Sequence, residues 1–239
     1  KYLNISIFSF AMAKAFNTVG SVNSLGMIAA ISLPLFYKNR PASFGKYINM
    51  AGMFLAMAIL VILNWWALWV VAIVGMATAI ALDSLSSPGS KKSKFLLPMT
   101  VIVLGVFLMV VNLNFNFLKK NFPVEVAPSF NLSVNVAESV MKKNIAFGYG
   151  PENFSFAFDQ YGAGKLANTT LSSAKFFDAT SQVLNWAIQG GLVVLAAFAF
   201  LLWLLARGMF KGGLTEEDTG VISGVVALIV GMFLYPFNI

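Results

Sequence analysis

Residues 175–208 read KFFDATSQVLNWAIQGGLVVLAAFAFLLWLLARG, a polar-faced segment running into an apolar one. From about Lys175 to Gln189 the residues Asp178, Ser181, Gln182, Asn185 and Gln189 recur at helical spacing and share a face. Phe177, Val183, Leu184 and Ile188 occupy the other faces. Gly190-Gly191 follows, and no charged residue appears again before Arg207. A helix that is apolar all round is read as buried or as a membrane span, so the second half is expected to enter a bilayer. The polar stripe above it has two open readings. It faces water, or it lines a cavity at the outer leaflet where a hydrophilic substrate on a lipid carrier would meet it.

The rest of the composition agrees with a lipid solvent. Of 239 residues, 59% are hydrophobic and 10% charged, against about 45–50% and about 25% in soluble domains. The absence of histidine and cysteine excludes a Cys/His zinc site, a thiol nucleophile, a Ser-His-Asp triad and a disulfide framework. Catalysis must then use carboxylates, lysines, hydroxyls or amides, with no metal or cofactor expected. The net charge of +7 does not point to nucleic acid, because the basic residues form short runs between apolar segments, as membrane topology requires.

A hydrocarbon core needs about 20 mostly apolar residues per helix. Six candidate spans result, at residues 22–37, 47–63, 66–82, 95–111, 191–206 and 220–235. Residues 1–16 are too short and polar to count and read as an interfacial helix or a truncated span. The fold class is an all-α polytopic membrane protein with about six transmembrane helices and a long, mostly helical external loop. Residues 1–111 form an N-terminal membrane part with about four spans, 112–190 the loop, and 191–239 a C-terminal membrane part with two spans. Lys38, Arg40 and Lys46, then Lys91, Lys92 and Lys94, then Arg207 and Lys211 fall on one face if the spans alternate. That face is cytoplasmic by the positive-inside rule. The uncharged Asn64-Trp65 turn makes residues 47–82 a helical hairpin whose Trp65, Trp66 and Trp69 suit an interfacial belt. Gly220, Gly224, Ala227 and Gly231 form a small-residue face for close helix packing. No ionisable residue lies mid-span, which speaks against an ion-coupled pathway. Starting at Lys1 and stopping just past an apolar run, the chain is expected to be an excerpt lacking both termini.

Within the loop, VNLNFNF (residues 111–117) alternates with period two, as a half-buried extended segment does. Asn135 with Glu138 three positions later has capping-box spacing and predicts a helix start. Lys142 and Lys143 suit its last turn, and Asn144 its end. Gly150-Pro151-Glu152 predicts a second start, followed by an apolar stripe of Phe154, Ala157, Phe158 and Tyr161 that Gly162 ends. These aromatics pack the loop, with Tyr161 at the helix end the best candidate for stacking on a sugar ring. The loop's charges nearly balance: Lys119, Lys120, Lys142, Lys143, Lys165 and Lys175 against Glu125, Glu138, Glu152, Asp159 and Asp178.

The order of these features resembles the bacterial O-antigen ligase and O-antigen polymerase superfamily of polytopic glycan-assembly proteins. IAFGYGPENFSFAFDQY (residues 145–161), LANTT and KFFDATSQVLNWAIQGGLVVLAAFAFLL (residues 175–202) carry the likeness, with FNTVGSVNSLGMIAAISLPLF (residues 16–36) as an outer-face helix start. The resemblance implies transfer or polymerisation of an oligosaccharide from undecaprenyl diphosphate to a glycan or lipid acceptor. It places the reaction at the outer face of a multi-pass cytoplasmic (inner) membrane protein, with membrane lipids as partners and no metal. The chain departs from the ligases at Thr180-Ser181, where they carry a histidine-asparagine pair. Its two arginines, Arg40 and Arg207, map to cytoplasmic connections, so no outer-face arginine is carried over.

Attack by an acceptor hydroxyl on an anomeric carbon needs a base and a counter-charge for the departing diphosphate. Asp178 is the expected catalytic base. Lys175 and Lys165 are expected to hold the diphosphate, and Tyr161, Ser181, Gln182 and Asn185 to bind substrate. Backbone amides around residues 148–152 offer a further anion site, against which Glu152 counts by repulsion. A lipid-linked glycan transporter or flippase and a non-catalytic relative of the ligases remain as alternatives.

Overall fold

The computed structural model describes residues 20–38, 44–86, 95–111, 125–167, 169–211 and 216–237. The expectations for residues 1–16 and 112–117, for Arg40, for Lys91, Lys92 and Lys94, and for Lys119 and Lys120 fall outside them. Among the described residues the chain is all-helical: α1 (Val22–Lys38), α2 (Phe44–Leu63), α3 (Trp66–Ser86), α4 (Leu96–Val111), α5 (Phe130–Lys143), α6 (Phe154–Tyr161), a 3-10 turn (Ala163–Leu166), α7 (Gln182–Lys211) and α8 (Glu216–Leu234). Every expected apolar span coincides with a helix. Two are long and apolar enough to cross a membrane, Trp66–Ser86 and Gln182–Gly208.

The chain divides into two compact units. The first contains α1–α4 and α8 as far as Gly231. Here α1 packs against both α2 and α3, and α3 against α4, around Met27, Leu33, Leu60, Leu68, Trp69 and Met76, all inaccessible to solvent. Asn64 bends the α2–α3 turn at φ 37° and accepts a hydrogen bond from Trp69 Nε1 at 2.9 Å. That ties one belt tryptophan inward, while Trp66 stays exposed. The small-residue face of α8 is used for packing: a Cβ on Gly75 would lie 3.0 Å from that of Ala227, and one on Gly224 3.1 Å from Leu35 Cδ2. Because α3 runs on to Ser86, Asp83 falls inside it, in its last turn. This carboxylate is 3% exposed and accepts from the Tyr37 hydroxyl at 3.3 Å, so the apolar reading of residues 66–82 stopped just short of a buried acid.

The second unit holds residues 126–211 and Met232–Phe237. Its core joins Val136 and Val140 of α5, Phe154 and Phe158 of α6, Phe176, and Ile188 of α7. Phe158 meets Phe176 edge-on at 5.0 Å between ring centroids, a favoured aromatic geometry. Helix α5 starts at Phe130, where Ser129 Oγ caps Leu132 N–H, and not at Asn135. Leu132, Val136 and Val140 repeat every four residues and are all buried, so the core face begins before the capping-box spacing does. Lys142 and Lys143 do occupy the last turn, and Asn144 ends the helix.

Helix α6 also starts later than the Pro-Glu signal, at Phe154. Gly150 and Glu152 have φ of 91° and 61°, and their amides donate to Gln189, one to its backbone oxygen and one to Oε1. Tertiary bonding overrides the local start signal. Helix α7 begins at Gln182, so residues 175–181 are not helical. A buried side chain, that of Asn185, holds them in another conformation.

Candidate functional site

Helix α7 is two helices joined at a break. Gly191 has φ 61° and ψ −155°, a region that essentially only glycine occupies. A break leaves the last carbonyls of one half and the first amides of the other without helical partners. The segment after α5 supplies them. Ile188 and Gln189 carbonyls accept from the amides of Tyr149 (2.9 Å) and Gly150 (2.8 Å). The amides of Leu192 and Val193 donate to the carbonyls of Ile145 (2.8 Å) and Ala146 (3.1 Å). Such close approach needs two glycines. A Cβ on Gly148 would lie 2.4 Å from Ile188 O, and one on Gly191 2.6 Å from Ala146 O. Across the break, Trp186 packs on Phe198 with ring centroids 4.8 Å apart.

This insertion corrects the expectation of an anion site on the amides of residues 148–152. Gly148 N–H donates to Asn144 O, Tyr149 and Gly150 to α7, and Glu152 to Gln189 Oε1; residue 151 is proline. No amide is left to meet an anion.

The polar residues of α7 are likewise committed. Asn185 is 3% exposed. Its Oδ1 accepts from Ala179 N–H at 2.6 Å, which fixes the amide so that Nδ2 donates to Asp178 Oδ1 at 2.9 Å. Ser181, also buried, stands immediately before the helix and accepts from Leu184 N–H. Thr180 N–H donates to Ser133 Oγ at 3.1 Å. Gln182 reaches the chain end: its Oε1 accepts from Phe237 N–H, and its N–H donates to Tyr235 O. Ser181, Gln182, Asn185 and Gln189 therefore hold non-helical backbone in place, and the stripe neither faces water as a whole nor stands open to a substrate. Asp178 is the exception. It is half-buried, sits just ahead of the positive end of α7, and among the described residues only Asn185 bonds its carboxylate. Lys175, three residues earlier, is exposed.

Tyr161 belongs to a different corner, with Lys143 of α5 and Tyr149, and Lys165, in the 3-10 turn that follows α6, acts on Glu138 of α5 beside it. The Tyr149 hydroxyl makes a short hydrogen bond to Gln160 Oε1 and lies 2.8 Å from the Tyr161 hydroxyl. The two rings meet edge-on at 6.0 Å, and the Lys143 ammonium stands 5.3 Å from the Tyr161 ring centroid. One face of Tyr161 is thus taken by a cation and is not free to stack on a sugar ring. Tyr149 and, less strongly, Lys143 favour the ionised form of Tyr161 and lower its pKa, and the same bond to Tyr161 pushes Tyr149 up to about 12. Lys142 pairs with Glu138 at 2.6 Å and, with a smaller contribution from Lys165, lowers the pKa of that carboxyl. Sequence reasoning named Tyr161 and Lys165 but missed Tyr149, Gln160 and Lys143. The signal available for Lys143 was its place one residue before the helix stop.

Comparison of the chain with protein-family models, with curated proteins and with solved structures gives no match.

Proposed function

We propose that the protein is a multi-pass protein of the cytoplasmic membrane, related to the O-antigen ligases and polymerases, that transfers or polymerises undecaprenyl-diphosphate-linked oligosaccharide at the outer face. The observation that carries this reading is a half-buried carboxylate, Asp178, held by a buried amide at the head of a helix whose continuation is apolar. Only 11% of the apolar window of Gln182–Gly208 is buried. Leu192, Val193, Phe200, Leu201, Trp203 and Leu204 are all exposed, and large exposed apolar side chains on one helix suit a lipid solvent. The remaining apolar helices fit the same solvent, with Arg207 at the cytoplasmic end and the second unit's polar head outside.

In the proposed reaction the acceptor hydroxyl attacks the anomeric carbon of the donor. The hydroxyl proton passes to Asp178 Oδ2, the oxygen that Asn185 leaves open. The bond from the anomeric carbon to the diphosphate oxygen breaks and diphosphate leaves on its lipid, with Lys175 balancing its charge. Asn185 positions the carboxylate. The test reconstitutes the protein with lipid-linked oligosaccharide and acceptor. Asp178→Asn is expected to lower transfer by about 100-fold or more, and Lys175→Ala by about tenfold. Undiminished transfer in both variants refutes these roles.

A further inference from the structure

The corner formed by Lys143, Tyr149, Gln160, Tyr161 and Lys165 has a donor and acceptor inventory that points to a ligand. Gln160 Oε1 only accepts, so the single Tyr149 proton goes to it. The 2.8 Å contact between the phenols then requires Tyr161 to donate to Tyr149. The Lys143 ammonium stands over the Tyr161 ring, 5.3 Å from its centroid. Both phenol hydroxyls and the Gln160 amide oxygen therefore already have a partner within the cluster. The groups without a hydrogen-bond partner there are donors: the Gln160 amide nitrogen and the ammonium groups of Lys143 and of Lys165, whose charge also reaches Glu138, all on exposed side chains. Among the described residues neither Lys143 nor Lys165 has an ion-pair partner. Glu138 is held by Lys142, and Asp159 lies two residues before Tyr161, about 200° round the helix. Packing of Tyr149 and Tyr161 against the buried core of the second unit and the tie of Tyr149 N–H to α7 give this corner a rigid base, as a binding site needs.

We propose that this corner binds the oxyanion of an acidic sugar, such as a uronic-acid carboxylate, in the glycan the protein handles. The inference rests on the glycan-transfer reading and names its substrate class. A bare aromatic face would suit a neutral sugar ring, but here the face of Tyr161 carries an ammonium, so an anionic substituent is the complementary group.

The test uses the full chain in nanodiscs of neutral phosphatidylcholine and titrates a glucuronate-containing disaccharide against its neutral glucose counterpart. The acidic sugar is expected to bind at least tenfold more tightly, with affinity falling as salt rises. Lys143→Met and Lys165→Met, which keep much of the aliphatic stem, should each weaken it several-fold, and together reduce it to the level of the neutral sugar. Equal binding of both sugars, or unchanged affinity in the double variant, overturns the proposal. So does a response to phosphatidylglycerol vesicles with none to glucuronate, which would assign the lysines to lipid headgroups. Transfer of a neutral lipid-linked glycan is measured on the same preparations. Transfer without acidic-sugar binding overturns this inference alone, and binding without transfer overturns the transfer reading alone.

Discussion

Replacing Gly191 with alanine tests the broken helix on which the second unit is built. At φ 61° and ψ −155° an L side chain costs about 1–3 kcal/mol from backbone strain alone. The added Cβ would also sit 2.6 Å from Ala146 O and 2.7 Å from Gly148 N. Backbone atoms cannot swing aside as side chains do, so the inserted segment must retreat. Leu192 and Val193 then lose their bonds to Ile145 and Ala146, at about 0.5–1.5 kcal/mol each. The sum is a loss of about 2–6 kcal/mol. Gly164→Ala is the control, since its Cβ would meet nothing within 4 Å. Denaturant unfolding in bicelles, followed by far-ultraviolet circular dichroism, gives the stability. Amide exchange at Tyr149, Gly150, Leu192 and Val193 reports whether the loss is local. If Gly191→Ala matches Gly164→Ala within about 0.5 kcal/mol, α7 is continuous and the reasoning fails.

Other perturbations reach the remaining parts. Asn185→Ala leaves the buried Ala179 N–H without its acceptor and should cost about 1–3 kcal/mol in the same unfolding measurement; a loss below about 0.5 kcal/mol contradicts the assigned bonds. In a phenolate absorbance titration, Tyr161 should ionise below the ordinary tyrosine range and Tyr149 only at about 12. Tyr149→Phe should raise the Tyr161 transition, because it removes the hydroxyl that can turn from Gln160 and donate to the phenolate once Tyr161 ionises. Acidic-sugar binding should correspondingly weaken as pH rises through that transition, when phenolate competes for Lys143. Since the chain has no cysteine, single variants Lys142→Cys and Arg207→Cys should react with an impermeant maleimide from opposite sides of the membrane. Labelling of both from one side refutes the proposed topology.

The long apolar helices were legible because their signal is an uninterrupted apolar run, which survives any tertiary context. The ends of α5 and α6 were legible because a local stop residue decides them. Asn144 and Gly162 end α5 and α6 as their sequences imply, whereas the starts of α5, α6 and α7 are set by other residues. Ser129 offered a cap that the stronger-looking Asn135 and Glu138 pair obscured. The stretch from Phe176 to Ser181 looked helical until Asn185 reached back to bond Ala179 and Asp178. A period of 3.6 cannot reveal that, because it locates a face without saying what the face meets. Polar side chains on that stripe suggested water or substrate, yet Ser181 and Asn185 are buried, satisfying backbone left by the unwound segment. For the same reason Tyr161 and Lys165 could be named singly, while their partnership with Tyr149, Gln160 and Lys143 depends on a break in α7 that only the Gly190-Gly191 pair hinted at.

In the proposed reaction, glycan changes carriers at the second unit without crossing the bilayer. The direct measurement places the protein in liposomes of known orientation, supplies labelled lipid-linked oligosaccharide and acceptor on the side bearing Lys142, and follows the label. The account predicts label covalently attached to the acceptor, on that side alone, and lost in Asp178→Asn. Label that stays on its original lipid, whether it remains in place or crosses intact to the other leaflet, contradicts it.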